Sequence, residues 1–248
     1  MSNFDCVVIG GGHAGIEACL ACARMGLKTS LFTMSAAKIG EMSCNPAIGG
    51  LAKGQLVREI DALGGEMAKA ADKTCIQFKV LNSKKGPAVR GLRAQADKKE
   101  YRAYMLGVIS SHPDITIIEA TVDEITTDNG AVSGVKTSTG ESHAAKAVII
   151  TTGTFLRAKI FIGLSSQDGG RLGDPSADKL SLSLERLGLK LGRLKTGTNP
   201  RVDKSSLDFK KFIEQPGDVT PTPFSFSTSK ISIEQAMCWL ANTNEETH

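Results

Sequence analysis

The sequence predicts an α/β protein: a Rossmann-like dinucleotide-binding domain with an antiparallel β-meander, followed by the start of a second, inserted domain. Three observations carry this. Phe4–Met34 reads as strand, tight glycine turn, helix, strand. Ile115–Thr154 holds β-branched runs separated by turn residues. The chain has 248 residues, which at ~150 residues per domain suggests one to two domains.

Phe4–Ile9 is a short apolar run of buried-strand type. Gly10, Gly12 and Gly15 follow in the spacing G-x-G-x-x-G. The first glycine permits a tight turn. The second lets the backbone approach a pyrophosphate, and the third lets the helix close on the strand. Unpaired N–H groups at the helix start then face the phosphates, aided by the helix dipole. A second strand is expected at Thr29–Thr33. Many such sites carry an acid about 20 residues after the glycines for a ribose hydroxyl. Here the next acid is Glu41, which weakens an NAD reading and requires another grip on the ribose.

Apolar residues make up 41% of the chain, enough for a full core. The net charge of +4 is compatible with an anionic partner without demanding one. No run of ~18 apolar residues is present, so no membrane-spanning helix is expected. Met1-Ser2-Asn3 leads directly into the first strand, so no signal or transit peptide is expected. Without a secretory signal, the six cysteines are expected as reduced thiols. Cys19-x-x-Cys22 has the spacing of a redox or metal pair. It lies among alanines in the first helix pattern, however, and reads as small residues packing on a sheet. No second Cys/His pair supports zinc.

Ser35–Gly54 is rich in glycine and small residues and reads as a long, functional loop. Cys44 sits in it. Nearby backbone N–H dipoles and Lys53 would favour the reactive thiolate, against the alternative of an inert loop cysteine. Gln55–Leu63 has Leu56, Ile60 and Leu63 at helical spacing, ended by Gly64-Gly65. Asn82–Arg102 is the most basic stretch, with a helix expected from Ala94 onward. It reads either as a solvated helix face or as a phosphate-contacting patch. Ile115–Glu119, Thr121–Thr127 and Ala131–Thr137 form a meander feeding a buried strand at Ala147–Thr151. That strand ends in Thr152-Gly153, a short signature for a return to the dinucleotide. Gly169–Pro175 is a second glycine-rich loop before a helix with Leu180, Leu184 and Leu187 on one face. Arg193, Lys195 and Arg201 are candidates for one anion site, with a surface turn as the alternative.

Seven motifs then occur in order: IGGGHAG (Ile9–Gly15), ARMG (Ala23–Gly26), MSCNPAIGG (Met42–Gly50), KGPAVR with RAQAD (Lys85–Arg90, Arg93–Asp97), GTFL (Gly153–Leu156), GGRLGDP (Gly169–Pro175) and GRLKTGT (Gly192–Thr198). Together they resemble the MnmG, or GidA, family over nearly the whole chain from Phe4 to His248. This family installs a carboxymethylaminomethyl or aminomethyl group on the wobble uridine of certain tRNAs.

The resemblance implies an FAD-binding, glutathione-reductase-type domain over residues 1–200, incomplete without a later C-terminal return. It implies the start of an inserted, truncated NADH-binding domain at 201–248. FAD would contact Gly10, Gly11, Gly12, His13, Ala14, Gly15, Val122, Thr152, Gly153 and Ala177, the last through backbone alone. Cys44 would be catalytic, with no metal. Arg90, Arg93, Arg193 and Lys195 would meet tRNA or folate. The implied reaction uses methylenetetrahydrofolate, glycine or ammonium, and NADH. The implied partners are tRNA, the GTPase MnmE and a second copy of the chain, with no membrane. The implied setting is the bacterial cytoplasm, or a mitochondrion for a eukaryotic chain without its transit peptide. Members of this family are more than twice as long, so the chain reads as an N-terminal, by itself inactive, fragment. Two other readings are a folate- and FAD-dependent tRNA uracil methyltransferase, a shorter relative, and a non-catalytic flavin-binding scaffold.

Overall fold

The computed structural model describes residues 3–247. In chain order the elements are β1 (Asn3–Ile9), α1 (His13–Arg24), β2 (Thr29–Thr33), β3 (Ala47–Gly49), α2 (Lys53–Ala62), α3 (Met67–Thr74), β4 (Cys75–Leu81), β5 (Gly91–Ala96) and α4 (Lys98–Ser111). They continue with β6 (Ile115–Glu119), β7 (Val122–Asp128), β8 (Ala131–Thr137), β9 (Ser142–Ile150), β10 (Lys159–Ile162), β11 (Ser165–Asp168), α5 (Asp178–Arg186), β12 (Ile213–Gln215) and β13 (Cys238–Leu240). The chain divides into two units. Unit 1 runs to Ser43 and resumes over Arg102–Thr196, and unit 2 is Cys44–Tyr101 with the chain from Gly197 onward. The structure differs from the expected division at residue 200 in placing 44–101 with the C-terminal segment.

Unit 1 is built on a six-stranded sheet in the order β6-β2-β1-β9-β8-β7. Strands β6, β2, β1 and β9 are parallel neighbours, whereas β9, β8 and β7 pair antiparallel. β1 is central, and Val7 and Val8 are fully buried, as a strand covered on both faces requires. α1 ends where Leu27 N–H donates to Cys22 O at 3.1 Å, a bond that terminates a helix by turning its chain back on the last turn. The expected meander is corrected here. Ile115–Glu119 does not join it but pairs parallel with β2 at the far edge, so only β7, β8 and β9 are antiparallel. The β-branched composition is the same in both arrangements, and only a partner strand tells them apart. Phe4, Val7, Ile9, Phe32, Val122, Ile125, Val135, Leu180 and Leu184 form one core cluster with Ala145. Each large apolar side chain of this kind contributes ~1.5–3 kcal/mol on burial. α5 lies along β7, where Ile125 N–H donates to Ser183 Oγ at 3.0 Å. Leu180 and Leu184 face this core as expected, while Leu187 is exposed.

In unit 2, β3, β5 and β4 form a separate antiparallel sheet in that order. The helix expected from Ala94 begins instead at Lys98, because Ala94–Ala96 complete β5. Asp97 supplies the stop and the start: its Oδ1 accepts the N–H groups of Lys99 and Glu100 at 2.9 and 3.1 Å, a helix N-cap. The long loop is likewise interrupted by a 3-10 turn at Ala36–Lys38 and by β3.

The outer edge of β4 is covered by the chain's C-terminal segment. Phe78 N–H donates to Gln235 Oε1 and Val80 N–H to Asp218 Oδ2, both at 2.8 Å. Gln77 Nε2 reaches the carbonyls of Gln215 and Ala236, both at 3.0 Å. An edge so covered is closed to pairing with another chain. Two buried carboxylates anchor the same segment. Asp72 accepts the N–H groups of Phe224 and Ser225 at 2.7 and 2.9 Å, and Asp61 accepts Phe226 N–H at 2.7 Å. Burial pushes the Asp72 carboxyl above its ordinary value; these hydrogen bonds offset part of that, and the nearby Asp61 charge adds to it.

The raised Asp72 value sets a pH dependence. From its ordinary value of 3.8 upward, the folded chain keeps a proton that the unfolded chain has lost, until the raised value is passed. The stability that Asp72 contributes therefore falls as pH rises through that window and is flat on either side. Asp72→Asn removes the titration. Urea unfolding followed by the single tryptophan, Trp239, should show wild-type stability declining relative to Asp72→Asn across the window. A difference that is flat, or that grows with pH, contradicts the assignment.

Candidate functional site

The glycine turn is held from both sides. Gly10 N–H donates to Phe32 O at 2.8 Å, and Thr151 N–H donates to Ile9 O at 2.9 Å. Thr151 Oγ1 lies 2.9 Å from Ile9 O and 3.1 Å from Gly10 O. A side chain at Gly10, whose φ is +112°, would stand 2.4 Å from Thr151 O. One at Gly15 would stand 1.8 Å from Gly10 O, a distance no packing can absorb. These two glycines are required by the fold itself. Gly12 differs: its φ is −80°, and a Cβ there meets nothing within 4 Å. It N-caps α1 without a side-chain hydrogen bond, and the first turn carries no acid. Helix N–H groups therefore open onto free space of the kind an anion fills. Burial holds the His13 imidazole below its ordinary value, so it is neutral near pH 7. Attraction for an anion comes from the backbone and the helix dipole. Gly11 is packed against Ile39 and Thr33, its carbonyl accepting from Gly40 N–H at 2.9 Å, while Ala14 is exposed.

β9 brings Thr152 and Gly153 to the same end of the sheet, Ile150 lying opposite Ile9 in the parallel register. Val122 begins β7 with its side chain in the core, leaving its backbone as the group that can face a ligand. Ala177 is buried, and both its backbone groups are engaged, with Phe155 O at 2.8 Å and Arg157 N–H at 3.4 Å. The Gly169–Pro175 loop is fastened by Asp174, which pairs with Lys38 and, at 2.6 Å, with Arg171. Burial pushes the Asp174 carboxyl up, but these two cations outweigh it and hold it below the ordinary value.

In unit 2, Cys44 lies half-buried at the start of a loop pinned to β5. Ala96 N–H donates to Pro46 O at 2.6 Å and Gly50 N–H to Leu92 O at 2.7 Å. The loop ends at Ala52, which caps α2 with φ +62° and ψ −37°. Backbone in so sparsely populated a region stores on the order of 1–3 kcal/mol and marks loops whose shape is functionally constrained. The Cys44 sulfur donates to Gly197 O at 3.1 Å and lies 3.7 Å from Asn45 Oδ1. The sulfur thus faces two acceptor oxygens. Arg201 Nη2 donates to the carbonyl of Cys44. By contrast, burial pushes the thiols of Cys6 and Cys75 up to about 12 and that of Cys19 higher still, so these are inert packing groups. Cys22 is buried with them, so the Cys19-x-x-Cys22 pair serves packing.

The basic candidates separate. Arg90 is exposed, its Nε bonded to Lys85 O at 2.9 Å. Arg93 lies half-buried in β5 opposite Lys79. Both belong to unit 2. Arg193 and Lys195 belong to unit 1, where Arg193 donates to Arg157 O at 2.6 Å and Lys195 is exposed. Arg201 belongs to unit 2, where it is engaged on the carbonyl of Cys44. That engagement was missed from sequence: 157 residues separate the two, and nothing local signals it. Among the described residues no group of three or more His, Cys, Asp or Glu is placed to hold a metal, and no helix is long and apolar enough to cross a membrane.

A family model described as glucose inhibited division protein A matches residues 5–248. A curated relative from Thermodesulfovibrio yellowstonii, named tRNA uridine 5-carboxymethylaminomethyl modification enzyme MnmG, is 56% identical over 246 residues. The match covers 99% of this chain and 39% of that relative, so the chain spans about two-fifths of its length. The crystal structure of Aquifex aeolicus GidA superposes with a TM-score of 0.92 at 53% identity, covering 96% of this chain and 41% of that one. A GidA-related protein from Thermus thermophilus shares the fold, with a TM-score of 0.54 at 19% identity over 75% of this chain and 69% of that one.

The glycine geometry separates ligand loss from fold loss. Gly12→Val should fold, retaining helix content by circular dichroism, while filling the space in front of α1. Gly15→Ala should instead lower the thermal midpoint, since overpacking costs ~1–3 kcal/mol or more. Equal destabilisation by the two would refute the distinction.

Proposed function

This chain belongs to the glucose inhibited division protein A family, and from that premise we propose that it forms the flavin-binding and cysteine-bearing part of a longer tRNA-modifying enzyme. The reaction proposed is addition of a carboxymethylaminomethyl or aminomethyl group to carbon 5 of the wobble uridine. The observation that carries the reading is the open space at Gly12 in front of α1, on a chain 56% identical to an enzyme named for that modification.

FAD fits the residues present: its pyrophosphate would lie against the N–H groups from Gly11 to Gly15, with Thr152 and Gly153 beside it and the backbone of Val122 further along. Ala177 has no free backbone group to offer, so its part is van der Waals contact. When bound, the flavin supplies the redox and carrier chemistry that joins a one-carbon unit from methylenetetrahydrofolate, with electrons from NADH. The chain's own groups hold the diphosphate by neutral dipoles and keep the approach to α1 clear of side chains. Cys44 adds its sulfur to the uracil ring beside carbon 5 and makes that carbon electron-rich, or manages the proton lost from it. Arg90 and Arg93 would meet the anionic tRNA or folate, with Arg193 and Lys195 as further cations. Glycine or ammonium supplies the nitrogen. MnmE, a second copy of the chain and a cytoplasmic setting complete the proposal.

Three measurements on the longer enzyme test it. Gly12→Val should lose the yellow flavin absorbance while staying folded; a fully flavinated variant ends the cofactor assignment. Cys44→Ser changes one atom and should leave flavin content intact while slowing tRNA modification by orders of magnitude. Wild-type turnover with tRNA in excess would remove Cys44 from the chemistry. Finally, Arg90→Glu with Arg93→Glu should reduce the slope of log affinity against log salt by ~0.7–0.9 per lost phosphate contact. An unchanged slope, affinity and folate use would leave both arginines as solvated charges.

A further inference from the structure

We propose that Arg201 is a positioning residue that holds the Gly197–Arg201 strap across Cys44 and keeps the thiol shielded until the strap is displaced. Two contacts from this one short segment bracket a single residue. The carbonyl of Gly197 accepts the Cys44 thiol at 3.1 Å, and four residues on, the Arg201 guanidinium donates to the carbonyl of Cys44. Pro200 lies between them and restricts the strap's backbone. A charged donor makes the stronger kind of hydrogen bond, so the arginine contact is the fastening and the thiol contact is what it holds in place.

The arrangement suits a reserved nucleophile rather than an active one. The thiol hydrogen is engaged on the Gly197 carbonyl oxygen. That oxygen stands 3.1 Å from the sulfur and occupies one approach to it. Along that approach the sulfur can attack only when the Gly197 carbonyl withdraws, and Arg201 opposes that withdrawal. An anionic substrate has the chemistry to compete for the guanidinium, because phosphate takes two parallel N–H bonds where a carbonyl takes one. Release of the strap would then be coupled to substrate arrival, and the thiol would be protected from alkylation and oxidation in its absence.

The functional meaning of the strap rests on Cys44 being the nucleophile, but the hold of Arg201 on Cys44 is measured independently of it. Full-length protein would be treated with iodoacetamide over a pH series, without tRNA. Modification of the Cys44 peptide would be followed by mass spectrometry, with the buried Cys19 peptide as an internal control for unfolding. Arg201→Gln should raise the alkylation rate of Cys44 roughly fivefold to tenfold, the worth of about one hydrogen bond. Arg201→Lys, which keeps one donor, should restore most of the protection, and inorganic phosphate should raise the wild-type rate but not that of Arg201→Gln. An unchanged or slower rate in Arg201→Gln at every pH overturns the proposal, as does a Cys19 peptide modified in parallel together with an Arg201→Lys variant that gives no protection. Full turnover of tRNA by Cys44→Ser would remove the catalytic reading while leaving the alkylation result standing.

Discussion

The structure of unit 1 depends on a contact that a side chain would make impossible. The carbonyl of Gly10 lies where a Cβ of Gly15 would be, 1.8 Å from it, and Thr151 closes the same point from β9. Because that space is empty, α1 starts hard against the ends of β1 and β9. Close approach puts the helix N-terminus, with its unpaired N–H groups and positive dipole end, at the carboxyl edge of the parallel strands. Gly12, between the two packed glycines, faces open space. The same stretch of sequence thus contains two glycines that the fold requires and one, Gly12, that it does not.

Unit 2 is organised by buried carboxylates rather than by a glycine turn. Asp61 and Asp72 lie within the protein, where an ionised group is costly unless it is hydrogen-bonded. Their partners are main-chain N–H groups of Phe224, Ser225 and Phe226. The carboxylates therefore select one placement of a segment that is otherwise irregular. Phe224, fully buried, adds the apolar part of that anchor. With the segment fixed, Gln235 and Asp218 complete the hydrogen bonding of β4, and β12 pairs with β13. Backbone groups of β4 that would otherwise be left without partners are satisfied by residues more than 130 positions away.

The glycine turn and Cys44 fall on different frameworks. The glycine turn belongs to a parallel sheet, where strand ends and a helix start converge. Cys44 belongs to a loop laced to a small antiparallel sheet by backbone bonds at Pro46 and Gly50. The first is confined at Gly10 and Gly15, where a side chain would meet main-chain atoms. The second is held by polar contacts, among them Arg201 on the Cys44 carbonyl, each of which can be exchanged for another partner.

The sequence by itself determined what local periodicity and steric exception can encode. The strand–turn–helix at Phe4–Met34 was legible because glycine at Gly10 and Gly15 reports a backbone that no other residue permits. The strands of the meander were legible from β-branched runs and from turns at Asn129-Gly130 and Thr139-Gly140, and Leu180 and Leu184 from their spacing on α5. Ordered motifs around Cys44 and Arg90 carried the family. Only the tertiary structure decided partnership. β6 reads like its neighbours but pairs with β2, since edge position and strand direction depend on a partner distant in sequence. Ala94–Ala96 read as helix but became strand when β3 and β4 flanked them. The irregular segment after Pro216 carries no periodicity, and its order comes from Asp61, Asp72 and the edge of β4. Arg201 looked like one of three surface cations and is instead bound to Cys44. Periodicity is a property of neighbours along the chain, whereas charge compensation and edge pairing are properties of neighbours in space, and these emerge only when the chain has folded.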